Sequence, residues 1–348
     1  MARRAGVGEG TVSRVLNDSP KVSPATRGKV LEAIDALDYR PSALARGLST
    51  GRFSTIGVVI PFFTHASAFE RLRGVAAALH DAPYDLVLFN VESPIHRAEQ
   101  FASLTGRAGT DGLLVMSLPP PATELARLVA RDVPVVLVDA RGDGVPTVLI
   151  DDVEGGRIAT RHLVELGHRR IAFIGDDPDN ALGFTSSTHR ERGYREVLAE
   201  AGEPDRPELV RHGAHDRAVA SRLADELLAL PERPTAVFAA SDVQATGVLE
   251  AARRAGLEVP RDLSVVGFDD IELSEYLGLT TVHQRLYDSG ELGMRLLLDA
   301  LADGTPPAPV VHDLPLRLVE RRTTCPVGGA RPGPTARRRR ATKGASTT

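Results

Sequence analysis

The hydrophobic positions of the first fifty residues recur at helical spacing. Val12, Val15 and Leu16 are spaced i, i+3, i+4, which predicts one buried helical face. A second helix is expected after Ser23, because serine is a favoured capping residue and Pro24 fits the first helical position. The apolar stripe of that helix comprises Val30, Leu31, Ile34 and Leu37.

From residue 55 onward, short apolar runs alternate with amphipathic helical stretches. The runs predict strands at 56–60, 84–90, 111–116 and 134–139, and then at 170–175, 235–240 and 263–268. Helical patterns separate them, as at 69–80 and 155–166. Strands that are apolar throughout and alternate with helices are typical of parallel sheets covered on both faces. Two such series predict two doubly wound α/β lobes with a cleft between them.

Composition narrows the class of protein. The chain has 348 residues, of which 42% are hydrophobic, so several domains with sizeable cores are expected. Its one cysteine, Cys325, excludes a disulfide within the chain and fits a reducing compartment. We expect no membrane span, because no run of 18 apolar residues occurs. No apolar stretch follows the N-terminal arginines, so no secretory signal is recognised and a cytoplasmic protein is expected.

The charge is unevenly distributed. Residues 1–52 have a net charge of +4 and residues 326–348 of +6, whereas the whole chain has −4. A basic end on an acidic body indicates a nucleic-acid contact confined to one module, although solvated surface charge gives the same balance. The tail is poor in apolar residues, so we expect it to be disordered.

One face of the first predicted helix is small and polar. Gly10, Ser13, Arg14 and Asn17 are spaced i, i+3, i+4, i+7, and the pair Gly6-Val7 supplies a tight turn before them. Such a helix fits the major groove of DNA, where an arginine pairs with guanine O6 and N7. Periodicity alone favours an ordinary amphipathic surface helix.

Longer motifs resolve this ambiguity. The blocks AGVGEGTVSRVLN (5–17), KVSPATRGKVLEAIDALDYRP (21–41) and SALARGLSTGR (42–52) resemble the DNA-binding module of the lactose/galactose-repressor family. The similarity continues, in family order, through TIGVVIP, DGLLVM, HLVELGHRRIAFIG, FAASDVQATGVLEAARRAGLEVPRDLSVVGFDD and LTTVHQ. It covers roughly residues 1–320.

The resemblance implies an α/β fold: an N-terminal helix-turn-helix headpiece with a hinge helix, then two doubly wound parallel-sheet lobes like those of periplasmic binding proteins. We expect a headpiece at 1–41, a hinge helix and linker at 42–54, a two-lobed effector-binding and dimerisation domain at 55–325, and a basic tail at 326–348. The N-lobe is expected at about 55–150 plus 285–308, and the C-lobe at about 151–284 plus 309–325.

The first helix of the headpiece is expected to be incomplete. Only Met1 to Ala5 precede the Gly6-Val7 turn, which is little more than one helical turn. Met1 also stands where the family commonly has valine. We therefore expect Met1 to be an internal valine and roughly five to ten upstream residues to complete this helix.

The resemblance implies DNA contacts by Gly8, Glu9, Gly10, Thr11, Ser13, Arg14, Asn17, Lys21, Ser23, Thr26, Tyr39, Ser42, Ala45 and Leu48. Glu9 either accepts from cytosine N4 or favours the positive helix start. Gly10 has no side chain, so the family's operator sequence does not carry over. Leu48 matches the wedge that unstacks a minor-groove step, with a linker or core leucine as the alternative.

Polar residues follow several predicted strands, where ligands of parallel α/β sheets bind. Asp139, Ser241 and Asp269 lie at strand ends, and Arg190 opens a helix after one. An arginine with carboxylates suits a hydroxylated ligand, because each hydroxyl both donates and accepts. The neighbouring Asp242 and Asp270 are predicted to cap helices.

The resemblance extends this set to effector contacts by Phe62, His65, Ser67, Asp139, Arg190, His215, Ser241, Asp269 and Gln284. His215 stands where the family usually has a stacking aromatic residue, and a surface histidine is the alternative. The loop PFFTHASAF, which includes Phe63, departs from the family's pattern of two adjacent phenylalanines. The effector's identity therefore stays open, with a carbohydrate as the family's usual ligand.

Two other classes of protein share parts of this pattern. A secreted sugar-binding protein has the same two lobes, and paired aspartates after a strand also occur in enzymes. The phosphate-loop motif GxxxxGK[ST], the nucleophile motif GxSxG and zinc-ligand spacing are all absent from the sequence. We expect a homodimeric repressor of a pseudo-palindromic operator, without catalysis, cofactor or metal. The alternative is a two-lobed binding protein with little DNA binding in this form.

Overall fold

The computed structural model describes residues 1–16, 19–37, 53–106 and 109–328. The helices are α1 Ala2–Ala5, α2 Glu9–Leu16, α3 Pro24–Asp35, α4 Ala66–Leu79, α5 Pro94–Gly106, α6 Ala122–Val129, α7 Asp152–Glu165, α8 Ser186–Glu200, α9 Arg217–Leu228, α10 Asp242–Arg254, α11 Glu272–Leu277 and α12 Leu286–Asp303. The strands are β1 Thr55–Pro61, β2 Asp85–Val91, β3 Gly112–Met116, β4 Val135–Val138, β5 Thr147–Leu149, β6 Ile171–Asp176, β7 Val210–Gly213, β8 Ala236–Ala239, β9 Ser264–Asp269, β10 Thr280–His283, β11 Val311–Asp313 and β12 Arg317–Val319.

Helices α1, α2 and α3 pack around a small apolar core. Gly6 adopts the left-handed conformation (φ 67°) that ends α1, as expected of the tight turn. The predicted cap of α3 is confirmed, because the Ser23 side chain accepts from the backbone N–H of Thr26 at 3.3 Å and Pro24 opens the helix. The core comprises Ala5, Val12, Val15, Val30 and Ala33.

The predicted apolar stripe of α3 was partly wrong. Leu31 and Leu37 are 48% and 44% exposed, whereas Val30 and Ala33 are buried. The pattern favoured the large leucines, but the short helices α1 and α2 approach α3 over the face that carries the smaller residues.

The first lobe is built on a six-stranded sheet in the order β11-β5-β4-β3-β1-β2, with every strand pair parallel. Its central strands are buried throughout, and α4 and α12 pack against one face of them. Strand β2 lies on one side of β1, and β3, β4 and β5 follow on the other side, so the order of strand addition reverses at β1. That is the position at which ligands bind beyond the carboxyl ends of parallel strands.

The second lobe repeats this plan, in the order β12-β10-β9-β8-β6-β7. Only the pairing of β12 with β10 is antiparallel among the described strands of this sheet. The predicted strands at 170–175, 235–240 and 263–268 correspond to β6, β8 and β9 within one or two residues.

The expected lobe boundary near residue 309 was wrong. The C-lobe was predicted to resume at 309–325, but β11 pairs with β5 in the first sheet. The described residues divide into one unit within 1–149, 181–183 and 286–314, and a second unit within 150–180, 184–285 and 315–328. A three-residue strand has no apolar run of its own, so the sequence did not reveal it.

Helices α7 and α8 cross so closely that only glycine fits at the crossing. In the second lobe, a Cβ on Gly156 of α7 would lie 2.1 Å from the carbonyl oxygen of Arg190 on α8. A Cβ on Gly193 would lie 2.1 Å from the carbonyl oxygen of Val153. The backbone that carries Arg190 is therefore held against α7, which fixes where its side chain begins.

Across the described ranges, no helix is both long and apolar enough to span a bilayer.

Replacing Gly193 with alanine should destabilise the second lobe. The added methyl group overlaps the backbone of Val153, and such overpacking costs roughly 1–3 kcal/mol. Urea unfolding monitored in the second lobe measures the change. Gly28→Ala provides the contrast, because a Cβ there meets nothing within 4 Å and alanine favours the interior of a helix by about 1 kcal/mol. Equal effects of the two substitutions would contradict the close crossing.

Candidate effector site and DNA-contacting helix

Helix α2 presents the polar face that the sequence predicted. Gly8 starts the helix, since its carbonyl oxygen accepts from the backbone N–H of Thr11 at 2.9 Å. Gly8, Glu9, Gly10, Ser13 and Arg14 are exposed, Thr11 is half-buried, and Val12 and Val15 on the opposite side are buried. Glu9 lies in the first turn, where a carboxylate interacts favourably with the positive end of the helix.

The other candidate DNA contacts fall into two groups. Lys21 and Ser23 are exposed, and the hydroxyls of Ser23 and Thr26 are hydrogen-bonded to each other at 2.9 Å. Asn17, Tyr39, Ser42, Ala45 and Leu48 lie outside the described residues.

In the second lobe, Arg190 is fixed by several contacts of its guanidinium. Nε donates to Oδ1 of Asp152 at 2.8 Å, and Nη1 donates to the carbonyl oxygen of Ala240 at 2.6 Å. The group lies 3.6 Å from the centre of the Phe268 ring and 3.8 Å from Oδ1 of Asp269. Arg190 is only 6% exposed, so it is a buried cation at the carboxyl edge of the sheet.

Asp269 and Gln284 lie beside this arginine. Asp269 ends β9 in a backbone conformation with φ 119°, and its Oδ1 accepts a hydrogen bond from the side-chain amide of Gln284. Both residues are buried. The structure therefore brings together Arg190, Asp269 and Gln284, three of the predicted effector contacts.

The predicted contacts Ser241 and His215 belong to a second polar chain on the same edge. Ser241 caps α10, and its hydroxyl donates to Oε1 of Gln244 at 3.2 Å. Gln244 Nε2 donates to Oδ1 of Asp176 at 2.9 Å, and His215 Nδ1 lies 3.1 Å from the same oxygen. Sequence reasoning missed Asp176 and Gln244. Asp176 ends β6, so the criterion that selected Asp139 at a strand end could have found it.

The environment of His215 changes its ionisation. Burial lowers the pKa of the imidazole, but the hydrogen bond and negative charge of Asp176, with help from Asp269, outweigh burial and raise the pKa above 6.5. The pair therefore stabilises the fold fully below about pH 6.5, and this contribution is lost as the pH rises through the raised value.

The predicted helix caps at Asp242 and Asp270 were wrong. Asp242 is fully buried, and its carboxylate accepts from Ile271 N at 3.1 Å and from the hydroxyls of Ser274 and Thr281, both at 2.6 Å. Burial, and then the charge of Asp269, raise the pKa of Asp242 to about 7. Through its hydrogen bonds to Ile271 and Ser274, Asp242 thus fixes the turn that follows β9.

Asp270 likewise has tertiary partners. It accepts from Arg321 Nη2 at 2.6 Å and from His283 Nδ1 at 3.0 Å. Burial raises the pKa of this carboxyl, but the two hydrogen bonds outweigh burial and lower it overall. Ile271, not Asp270, occupies the cap position of α11.

The first lobe carries the remaining candidate residues at its own carboxyl edge. Asp139 follows β4 with φ 54° and accepts from Arg71 Nη2 at 2.8 Å and from Ser117 Oγ at 3.0 Å. The rings of Phe62 and His65 stack after β1, with centroids 5.0 Å apart. Ser67 lies in the first turn of α4. Arg71 was missed by the sequence, because its partner Asp139 is 68 positions away.

Within the ranges that the structure describes, no three His, Cys, Asp or Glu side chains are grouped so as to hold a metal ion.

Comparison with known proteins identifies the family. Residues 1–42 match the model of the bacterial regulatory proteins of the lacI family, and residues 160–324 match a periplasmic binding protein-like domain. Catabolite control protein A of Priestia megaterium is 34% identical over 330 residues, which cover 93% of this chain and 98% of the relative. The chain belongs to the lacI family of bacterial regulatory proteins.

Other members of the lacI family agree with this. The HTH-type transcriptional repressor PurR of Erwinia tasmaniensis is 35% identical over 93% of this chain and 95% of the relative. The Lac repressor dimer bound to operator and the anti-inducer ONPF superposes with a TM-score of 0.76, at 26% identity, over 93% of this chain and 97% of that one. The CelR–cellobiose complex superposes with a TM-score of 0.68, at 34% identity, over 92% and 98%.

The resemblance found in the sequence is thus confirmed, as is the fold class of a helix-turn-helix module followed by two parallel-sheet lobes. The protein is a DNA-binding transcription regulator of the lacI family, with a small-molecule effector domain. The relatives are transcription regulators rather than enzymes.

Asp176→Asn should lower the pKa of His215 below 6.5. The substitution removes the carboxylate that raises this pKa and leaves burial, which lowers it. A pH titration of the His215 imidazole signals by NMR measures the shift, with Asp177→Asn as the control on the neighbouring residue. An unchanged pKa in Asp176→Asn would contradict the pairing.

Proposed function

We propose that the protein is a cytoplasmic, homodimeric repressor that binds a pseudo-palindromic operator through α2 of two headpieces and responds to a carbohydrate effector. The effector is bound and released unchanged, without a cofactor. The observation that supports effector binding is the buried Arg190 at the carboxyl edge of the second sheet, beside Asp269 and Gln284.

The proposal that the protein binds an operator rests on the surface of α2. A recognition helix needs one face packed on its own module and another face that is small and polar enough to enter the major groove. The burial of Val12 and Val15 and the exposure of Ser13 and Arg14 satisfy both conditions. The two-fold symmetry of a dimer then matches two half-sites.

The hinge contributes to the same proposal through its sequence. Ser42, Ala45 and Leu48 are proposed to contact the minor groove, with Leu48 as the wedge that kinks the duplex. Lys21, Ser23, Thr26 and Tyr39 are proposed to contact the phosphate backbone, which positions the protein without reading sequence.

The proposal of a carbohydrate effector rests on the hydrogen-bond donors and acceptors of the site. A sugar hydroxyl both donates and accepts, so it suits carboxylates beside guanidinium and amide groups. Asp269 supplies acceptors, and Gln284 and Arg190 supply donors. Two structural neighbours support a sugar by their own ligands: the CelR complex contains cellobiose, and a lacI-family regulator of Enterococcus faecium contains ribose.

Effector binding is proposed to change operator affinity. Such coupling requires that the ligand favours one of two states of the protein, and it is commonly worth about 1–3 kcal/mol.

Arg14→Ala should weaken binding to an operator selected by the wild-type protein from a random duplex library. An arginine paired with a guanine contributes roughly 1–3 kcal/mol of discrimination, so the affinity should fall about tenfold and specificity at one base pair should relax. Fluorescence anisotropy measures both. Glu32→Ala, an exposed change on α3, is the control and should leave the affinity unchanged. Selection of sites without dyad symmetry would contradict a dimer on two half-sites.

Arg190→Met should abolish ligand stabilisation of the folded protein. Ligand binding to the native state raises the melting temperature, so a thermal-shift screen against cellobiose, ribose and glucose detects it. Arg192→Met is the matched control two positions along α8, because that side chain is 65% exposed and pairs with Glu196. A wild-type response in Arg190→Met would refute the site.

A further inference from the structure

The two lobes repeat one another in more than strand order. Strand β1 lies between β2 and β3 in the first sheet, as β6 lies between β7 and β8 in the second. Strand β4 follows β3 across the first sheet, as β9 follows β8 across the second. The element at each position of one sheet therefore has a counterpart in the other.

The strand register makes individual residues equivalent. Met116 pairs with Val138 in the first lobe, so Ser117 and Asp139 come next along the two strands. Phe238 pairs with Val266 in the second lobe, and three residues further the same register reaches Ser241 and Asp269. Asp139 is thus the counterpart of Asp269, and both have positive φ, 54° and 119°.

The helices after β1 and β6 are equivalent as well. In α4, Arg71 precedes Gly74 by three positions, just as Arg190 precedes Gly193 in α8. A Cβ on Gly290 of α12 would lie 2.0 Å from the carbonyl oxygen of Arg71. The corresponding distance from Gly156 to the carbonyl oxygen of Arg190 is 2.1 Å. The backbone of each arginine is therefore packed against a glycine of the neighbouring helix at an equivalent crossing.

We propose that Arg71 is a second effector-positioning arginine, which holds Asp139 and Ser117 at the edge of the first sheet to bind hydroxyls of an uncharged polyhydroxylated ligand. This rests on the proposed effector function and extends it to residues of the first lobe. Arg71 is 4% exposed, whereas the Asp139 side chain is 22% exposed, so Asp139 offers the accessible oxygen and Arg71 acts through it.

The equivalence has one informative exception. Asp152, which pairs with Arg190, lies four positions before Gly156, and the same position before Gly290 is Leu286. Arg71 instead donates directly to its strand-end aspartate at 2.8 Å, whereas Arg190 lies 3.8 Å from Asp269. The orientation of Asp139 therefore depends on Arg71 more directly than that of Asp269 depends on Arg190.

The charges at the edge of each sheet, taken separately, indicate the same ligand class. Arg71 is matched by Asp139, and Arg190 by Asp152 and Asp269. The second edge also carries Asp176. These carboxylates already neutralise the arginines. A phosphate or carboxylate on the ligand would therefore lie beside negative groups, and like charges repel. Hydroxyl groups gain hydrogen bonds there without that cost.

Isothermal titration of the full chain tests the proposal with cellobiose, ribose, glucose and glucose 6-phosphate as probes. We expect the wild type to bind at least one of the uncharged sugars and not the phosphate. Arg71→Met should weaken that binding at least tenfold, and Arg71→Lys should restore part of it, because a cation again faces Asp139. Arg73→Met is the matched control, since Arg73 is exposed on the same helix and pairs with Glu70. It should stay within twofold of the wild type.

A second variant guards against a folding defect in Arg71→Met. Ser117→Ala removes a half-buried hydroxyl that donates to Asp139, and it should weaken binding about threefold or more with an unchanged circular dichroism melt. Wild-type affinity in a folded Arg71→Met protein, or in Ser117→Ala if the former does not fold, overturns the role of Arg71. The proposed function still stands in that case if Arg190→Met abolishes sugar binding. Binding of glucose 6-phosphate alone, or of no sugar, overturns the ligand class.

Discussion

Where α7 and α8 cross, the backbone of Arg190 lies against Gly156 with no room for a side chain between them. This contact sets the distance between α7 and α8 and so fixes the position from which the guanidinium reaches Asp152 and Ala240. A buried cation is costly unless it is paired and hydrogen-bonded, so the arginine and its partners must be placed together. Close packing of two helices thereby becomes a requirement of the polar site.

The turn after β9 is held in a similar way. Asp269 and Asp270 both have positive φ, a conformation that persists in non-glycine residues only where the surroundings impose it. The buried carboxylate of Asp242 fixes Ile271 and Ser274 on one side of this turn, and Arg321 fixes Asp270 on the other. The rigid turn aims the Asp269 carboxylate at the edge of the sheet where a ligand binds.

Much of the fold could be predicted from the sequence, because long apolar runs such as those of β1 and β9 identify themselves by pattern. Strands of three residues, such as β5 and β11, carry too short a pattern. The candidate site was found where a residue's position beside a strand was enough, as for Asp139 and Asp269. Residues of the site were missed or wrongly assigned where their hydrogen-bond partners are distant in the sequence. The donors to Asp242 lie 29 to 39 positions away, and Arg71 is 68 positions from its aspartate.

Sugar binding at the carboxyl edge of the second sheet and operator binding by α2 are proposed to be coupled in this protein. The most direct test is the operator dissociation constant, measured by fluorescence anisotropy, with and without a saturating concentration of a sugar that the wild type binds. We expect the dissociation constant to change at least about fivefold in either direction, which is the lower end of typical coupling between two sites. An identical dissociation constant with and without the bound sugar would contradict it.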